Sequence, residues 1–219
     1  MDLSDAAAPA AVGQVHATNR IFQLHPLSTR VLLALGQTAD PSLELPKVAF
    51  QLFDVSDASA PRLAHELVFD EPGYTDALFG RDVLSINSAR DAIALPFQSY
   101  YTGVSSLEAF RVSLSEGFVR LGGVVPPATD PTLHECLMLL GYPTDPEYVA
   151  QIEQDPAFVD SLLESCRSYA TDEVRRGLFR GDALFAIGER RVTAYPLDAL
   201  AAPPLSQINL DSSSPTTSP

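Results

Sequence analysis

The first seventy residues carry short apolar runs broken by Pro, Gly, Asp and Ser, the pattern of strands joined by turns. Period-two reading predicts strands at 21–24, 30–35, 49–55 and 62–69. A second group follows at 76–79, 83–95, 107–113 and 118–124, where the long stretch has to bend or divide near 87–91. A third, shorter group falls at 177–179, 183–187 and 192–197. Between the second and third groups the spacing turns helical. Asp130, Pro131 and Thr132 read as an N-cap region with an early proline, Leu133, Leu137 and Leu140 share one face, and Gly141 and Pro143 end the helix. Two further helices are expected at 146–153 and 156–169, the last with Phe158, Leu162, Leu163 and Cys166 as its apolar stripe.

The strand groups repeat one another. Asp2-Leu-Ser-Asp-Ala-Ala-Ala-Pro9 returns as Asp54-Val-Ser-Asp-Ala-Ser-Ala-Pro61, and six of the fourteen positions in 2–15 and 54–67 are identical. Phe53-Asp-Val-Ser56 aligns with Phe110-Arg-Val-Ser113, and Ala77-Leu-Phe-Gly-Arg-Asp-Val-Leu84 with Gly177-Leu-Phe-Arg-Gly-Asp-Ala-Leu184. Units of about 50 residues and four strands have the size of propeller blades. The expected class is therefore mainly β: a partial β-propeller of about three four-stranded antiparallel blades with an α-helical insertion. The boundaries read as a closing strand of a preceding blade at 1–16, blades at 17–70, 71–127 and 174–200, the insertion at 128–173, and a disordered tail at 201–219.

Charge narrows the partners. Fourteen basic residues against twenty-eight acidic ones give a net charge of −14, which opposes nucleic acid and anionic membranes. Apolar stretches fall well short of the ~20 residues that span a bilayer. The N-terminus shows no basic segment followed by an apolar one, so no export signal is read from this chain.

The ordered series Phe50-Gln-Leu-Phe-Asp-Val-Ser-Asp-Ala-Ser-Ala-Pro-Arg-Leu63, Tyr74-Thr-Asp-Ala-Leu78, Ala94-Leu-Pro96 and Val174-Arg-Arg-Gly-Leu-Phe-Arg-Gly-Asp-Ala-Leu-Phe185 resembles the bacterial and archaeal secreted proteins with a C-terminal β-propeller domain distantly related to WD repeats. The resemblance runs to about residue 200. It implies an exported or envelope-attached propeller, of which this chain holds the C-terminal, roughly three-blade part, with other blades or a protein as partner. It also bears on Cys136 and Cys166. Their number and spacing leave two buried thiols or a bridge, and the oxidising compartment implied by the resemblance favours the bridge. Such a bridge closes a loop of about 30 residues, worth roughly 3–4 kcal/mol in the chain-entropy account.

Catalytic signatures yield little. Zinc-protease, P-loop, dinucleotide and nucleophile-elbow patterns do not occur, so no catalytic residue, metal ligand or cofactor is assigned. His134-Glu135 lacks a second histidine four residues on, and His16, His25 and His65 are scattered. Asp54, Ser56 and Asp57 offer oxygens to a hard cation, but Asx turns account for the same composition. Asp70, Glu71 and Asp76, clustered around Gly73 and Tyr74, carry the alternative reading, a carbohydrate-active or other hydrolase with acidic residues at the propeller mouth, with Asp182 as a partner from another blade. The favoured reading is a non-catalytic interaction or scaffold module that uses the insertion and blade loops as its contact surface.

Overall fold

The structure is a computed structural model in which residues 11–38, 45–126, 132–167 and 173–210 are described. Among these residues there are three antiparallel sheets and three α-helices, so the chain is mainly β, as expected for a partial propeller. The first sheet is a meander of β1 (Arg20–Pro26), β2 (Val31–Gln37), β3 (Val48–Asp54) and β4 (Arg62–Val68). In the second, β5 (Gly73–Tyr74) and β6 (Ser85–Asn87) both pair with β7 (Ala92–Ser99), which continues to β8 (Ser105–Ser113) and β9 (Gly117–Val124). After the helices come β10 (Val174–Arg180), β11 (Ala183–Gly188), β12 (Arg191–Pro196) and β13 (Ser206–Asn209), again in chain order.

The sheets stack through their alternating side chains. On β2 and β3 the register sets Leu33 opposite Leu52 and Leu35 opposite Phe50. These four pack against Ile93, Leu95, Phe110 and Val112 of the second sheet. The Phe50 ring lies 5.6 Å from Phe118 and 6.1 Å from Phe110. The other face of the second sheet, with Ala94, Leu107 and Ala109, meets Leu184, Ala186 and Tyr195 of the third. The middle sheet is thus buried on both faces, which is why β7 and β8 read as nearly continuous apolar runs.

Residues 126–173 form a separate compact unit. Its helices are α1 (Leu133–Leu140), α2 (Pro146–Ile152) and α3 (Pro156–Arg167). Thr132 caps α1 in a reciprocal box with Glu135, and Gly141, at φ 75°, ends it in the left-handed region that glycine tolerates. Asp145 caps α2 ahead of Pro146. Cys136 and Cys166 are joined by a disulfide, and together with Leu137, Ile152 and Leu162 they make the unit's own small core.

Two expectations are corrected. Residues 76–79 do not extend into a strand. Thr75 Oγ1 accepts from Ala77 N at 3.2 Å and starts a 3-10 turn over Asp76–Leu78 that buries Ala77 and Leu78 in succession, while the short strand lies just before it at Gly73–Tyr74. The tail does not begin at 201 either, because Ser206–Asn209 pairs with β12 and completes a four-stranded third sheet. Of the closing strand expected at 1–16, residues 1–10 lie outside the described residues, and 11–17 form no strand. Asp130, Pro131 and residues 168–169 of the expected helical region also lie outside them.

Candidate functional site

Between the first two sheets, where β4 ends and β8 begins, a cleft of about 550 Å³ opens. Its apolar wall contains Leu67, Phe69, Phe97 and Phe110, and the Phe69 ring stands 5.0 Å from Phe97 and 5.6 Å from Phe110. Its polar side carries Asp70, Glu71, Glu108 and Arg120. Sheet geometry positions the last pair: Glu108 on β8 accepts from Arg120 of β9 at 2.7 Å (Nη2) and 3.0 Å (Nε), and from Ser106 Oγ at 2.9 Å. Glu71 accepts from Ser99 Oγ at 2.8 Å, and the backbone carbonyl of Asp70 accepts from Lys47 Nζ. Sequence spacing does not pair Glu108 with Arg120, since their meeting depends on the bulge at Ala109/Phe110 in the β8–β9 register.

The expected acidic group does not converge. Asp70 and Glu71 line the cleft, but Asp76 sits in the 3-10 turn, where it accepts from the Tyr74 hydroxyl at 2.8 Å and lies 3.9 Å from Arg175. Asp182 pairs with Arg90, which also reaches Asp198 at 3.5 Å. Tyr74 is tied to Asp76 and to the Phe79 ring at 6.5 Å. Asp70 and Glu71 thus share the cleft, while Asp76 and Asp182 are each engaged elsewhere.

The remaining candidates are engaged in turns and packing. Asp54 accepts from Ser56 N at 3.0 Å and from Arg62 Nη2 at 2.7 Å, and the Ser56 hydrogen bonds, then Arg62, hold its pKa at about 2. Asp57 accepts from Ser59 N and Oγ at 2.9 and 2.6 Å, which lowers its pKa in the same way. Both carboxylates thus shape an Asx corner. His25 is held below the usual histidine range by burial and then by the positive charge of Arg81, and its Nε2 lies 3.0 Å from Gln23 Oε1. His65 Nε2 lies 2.8 Å from the Leu114 carbonyl, joining the first two sheets. No cluster of three or more metal-ligating side chains occurs among the described residues, and no helix among them is long and apolar enough to cross a membrane.

A second feature lies on the third sheet. Leu184 and Ala186 face the second sheet, so Phe185 and Ile187 point the opposite way. The register adds Leu178 opposite Phe185, and Val192 and Ile208 in the row of Ile187. Leu178 is 45% exposed and Ile208 64%, and Phe185, Ile187 and Val192 are half-buried. Arg176 and Arg180 flank this apolar face on β10. Its sequence signal was the alternation Leu178, Arg180 and Phe185, Ile187, but only the pairing shows that these positions share a side. The family described as a beta propeller domain matches residues 1–200. No curated protein and no solved structure gives a match.

Proposed function

Because the chain belongs to the beta propeller domain family, we propose that it works as a non-catalytic protein-interaction and scaffold module, secreted or in the cell envelope, with further propeller blades among its partners. One observation carries this reading: the outer face of the third sheet, with Leu178, Phe185, Ile187, Val192 and Ile208. Contiguous apolar surface of this kind marks an interaction site. Within this chain the equivalent surfaces between neighbouring sheets are closed by a second sheet, so the natural occupant is another blade. A ring of 4–8 blades supplies one. The compartment is supported by the Cys136–Cys166 disulfide, a bond that persists in oxidising surroundings. The non-catalytic reading is supported by the commitments of the acids: Asp76 to Tyr74, Asp182 to Arg90 and Glu108 to Arg120.

Light scattering across a concentration series tests the face. The wild-type chain is expected to associate above its monomer mass of 23.6 kDa, and Leu178→Asp with Ile187→Asp to return it to that mass without lowering the unfolding midpoint. A wild-type chain that stays monomeric at every concentration overturns the assignment of this face.

A further inference from the structure

We propose that the cleft between the first two sheets is a binding site for a small organic cation, an ammonium group carried on an aromatic or aliphatic body. The proposal goes beyond the interaction reading above and uses a different surface from the outer face of the third sheet.

The cleft, at about 550 Å³, falls within the roughly 300–1000 Å³ of small-molecule sites, which combine an apolar lining with a few fixed polar groups. Its apolar wall is aromatic: the half-buried Phe69 packs against Phe97 and Phe110, which are 5% and 4% exposed. Such a wall takes an apolar body out of water, and it attracts an ammonium group that comes within about 6 Å of a ring centroid. The polar side is set by buried serines. Ser99, 4% exposed, accepts from Tyr101 N at 3.2 Å and from Thr102 N at 3.3 Å, which leaves its one hydroxyl proton for Glu71 Oε2 at 2.8 Å. Ser106, also buried, donates to Glu108 Oε1 at 2.9 Å, while Arg120 holds Glu108 Oε2. Two of the cleft's carboxylates are thus oriented before any ligand arrives, the preorganisation that a binding site asks of its polar groups.

Charge identifies the occupant. Glu108 already has its cation in Arg120. Glu71 has the neutral Ser99 hydroxyl, and the Asp70 carboxylate has no hydrogen-bond or ion-pair partner among the described residues. Lys47 approaches Asp70 but donates to its backbone carbonyl. Asp70, Glu71 and Glu108 set against Arg120 and Lys47 leave negative charge in excess at the cleft, and the chain's net charge of −14 adds to that field. An anionic ligand is repelled, and a neutral one gains nothing from the charge of Asp70 and Glu71. A cation with an apolar body uses both sides of the cleft. That chemistry has two sources, a free amine or a lysine side chain of another protein, and one titration separates them.

The test follows backbone amide chemical shifts of the full oxidised chain during titration with phenethylamine, its uncharged counterpart phenylethanol, the anion phenylacetate, and Nα-acetyl-lysine amide. Phenethylamine is expected to shift cleft residues such as Glu71, Ser99 and Gly123 saturably, and less so as salt is added. Phenylethanol and phenylacetate are expected to bind about tenfold more weakly or worse. Glu71→Gln, which keeps an acceptor for Ser99 but no charge, is expected to weaken phenethylamine about as much, with an unchanged unfolding midpoint. Tighter binding of the lysine amide than of phenethylamine identifies a protein side chain as the source, and the reverse order a free amine. Equal binding of phenylethanol, equal binding by Glu71→Gln, shifts confined to residues outside the cleft, or no saturation with either amine overturns the proposal. If Glu71→Gln does not fold, the comparison of phenethylamine with phenylethanol on the wild-type chain decides. Failure here leaves association through the third sheet standing, because the two surfaces share no residue.

Discussion

At the corner after β3, Asp54 accepts from Ser56 N and from Arg62, and its pKa is held at about 2 against an ordinary 3.8. A carboxylate whose pKa is depressed by folding stabilises the fold fully above its unfolded value, and the contribution disappears as pH falls through the folded one. The contribution of Asp54 is therefore complete above about pH 4 and lost on the way down to about pH 2. Asp54→Asn keeps an acceptor for the Ser56 amide but carries no charge to titrate. Urea midpoints measured between pH 5 and 2 are expected to fall more steeply for the wild type than for this variant. Parallel slopes would show that Asp54 does not couple to folding. The same residue illustrates what a motif in sequence can mean: Asp54, Ser56 and Asp57 have the composition of a cation loop, and the structure commits their oxygens to Ser56, Ser59 and Arg62.

Among the elements, the helices were the most legible, because their signals are local. Thr132 before Leu133, Asp145 before Pro146 and Gly141 after Leu140 fix α1 and the start of α2 within one or two residues. Strands with long apolar runs, such as β3 and β8, were equally plain. The misses occurred where pairing or a cap decided the outcome. Ser206–Asn209 has one apolar residue in four and becomes a strand only through β12. Ala77-Leu78-Phe79 and Gly177-Leu178-Phe179 share wording, yet Thr75 caps the first into a 3-10 turn while Ala186 and Phe185 across the register draw the second into β10. Number and spacing left Cys136 and Cys166 as thiols or a bridge, and only the resemblance favoured the bridge that the helical unit contains; the acidic group of the candidate site was not legible, since Asp70 and Asp76 are close in sequence but lie on either side of β5. The disulfide gives an element-scale prediction. Cys136→Ser with Cys166→Ser removes a constraint on about 30 residues and should destabilise the helical unit by roughly 3–4 kcal/mol. Denaturation monitored by helical circular dichroism should reveal a lowered transition that reductant reproduces in the wild type. A transition unmoved by both would mean that the small core of Leu137, Ile152 and Leu162 suffices alone.

Across the whole molecule, two apolar clusters hold three sheets, and the second depends on close approach. A Cβ placed at Gly177 would lie 3.0 and 3.2 Å from the Leu107 methyls and 3.5 Å from Ala94. Gly177→Val is therefore expected to push the third sheet away from the second and to cost about 1–3 kcal/mol. Thermal unfolding provides the measure, and an unchanged midpoint would show that Leu107 yields without cost. The stacking of sheets was readable from repeats of about 50 residues, whereas the outer apolar face of the third was not, because it follows from the pairing of β10 to β13. Val124, two residues before the helical unit, and Val174, immediately after it, are both buried in that second cluster, and Val174 N donates to the buried Ser105 Oγ at 3.0 Å. Both ends of the segment that carries the helices are thus anchored in the sheets' own core, and a change of length or charge within 126–173 is expected to leave the strand registers of β9 and β10 as they are.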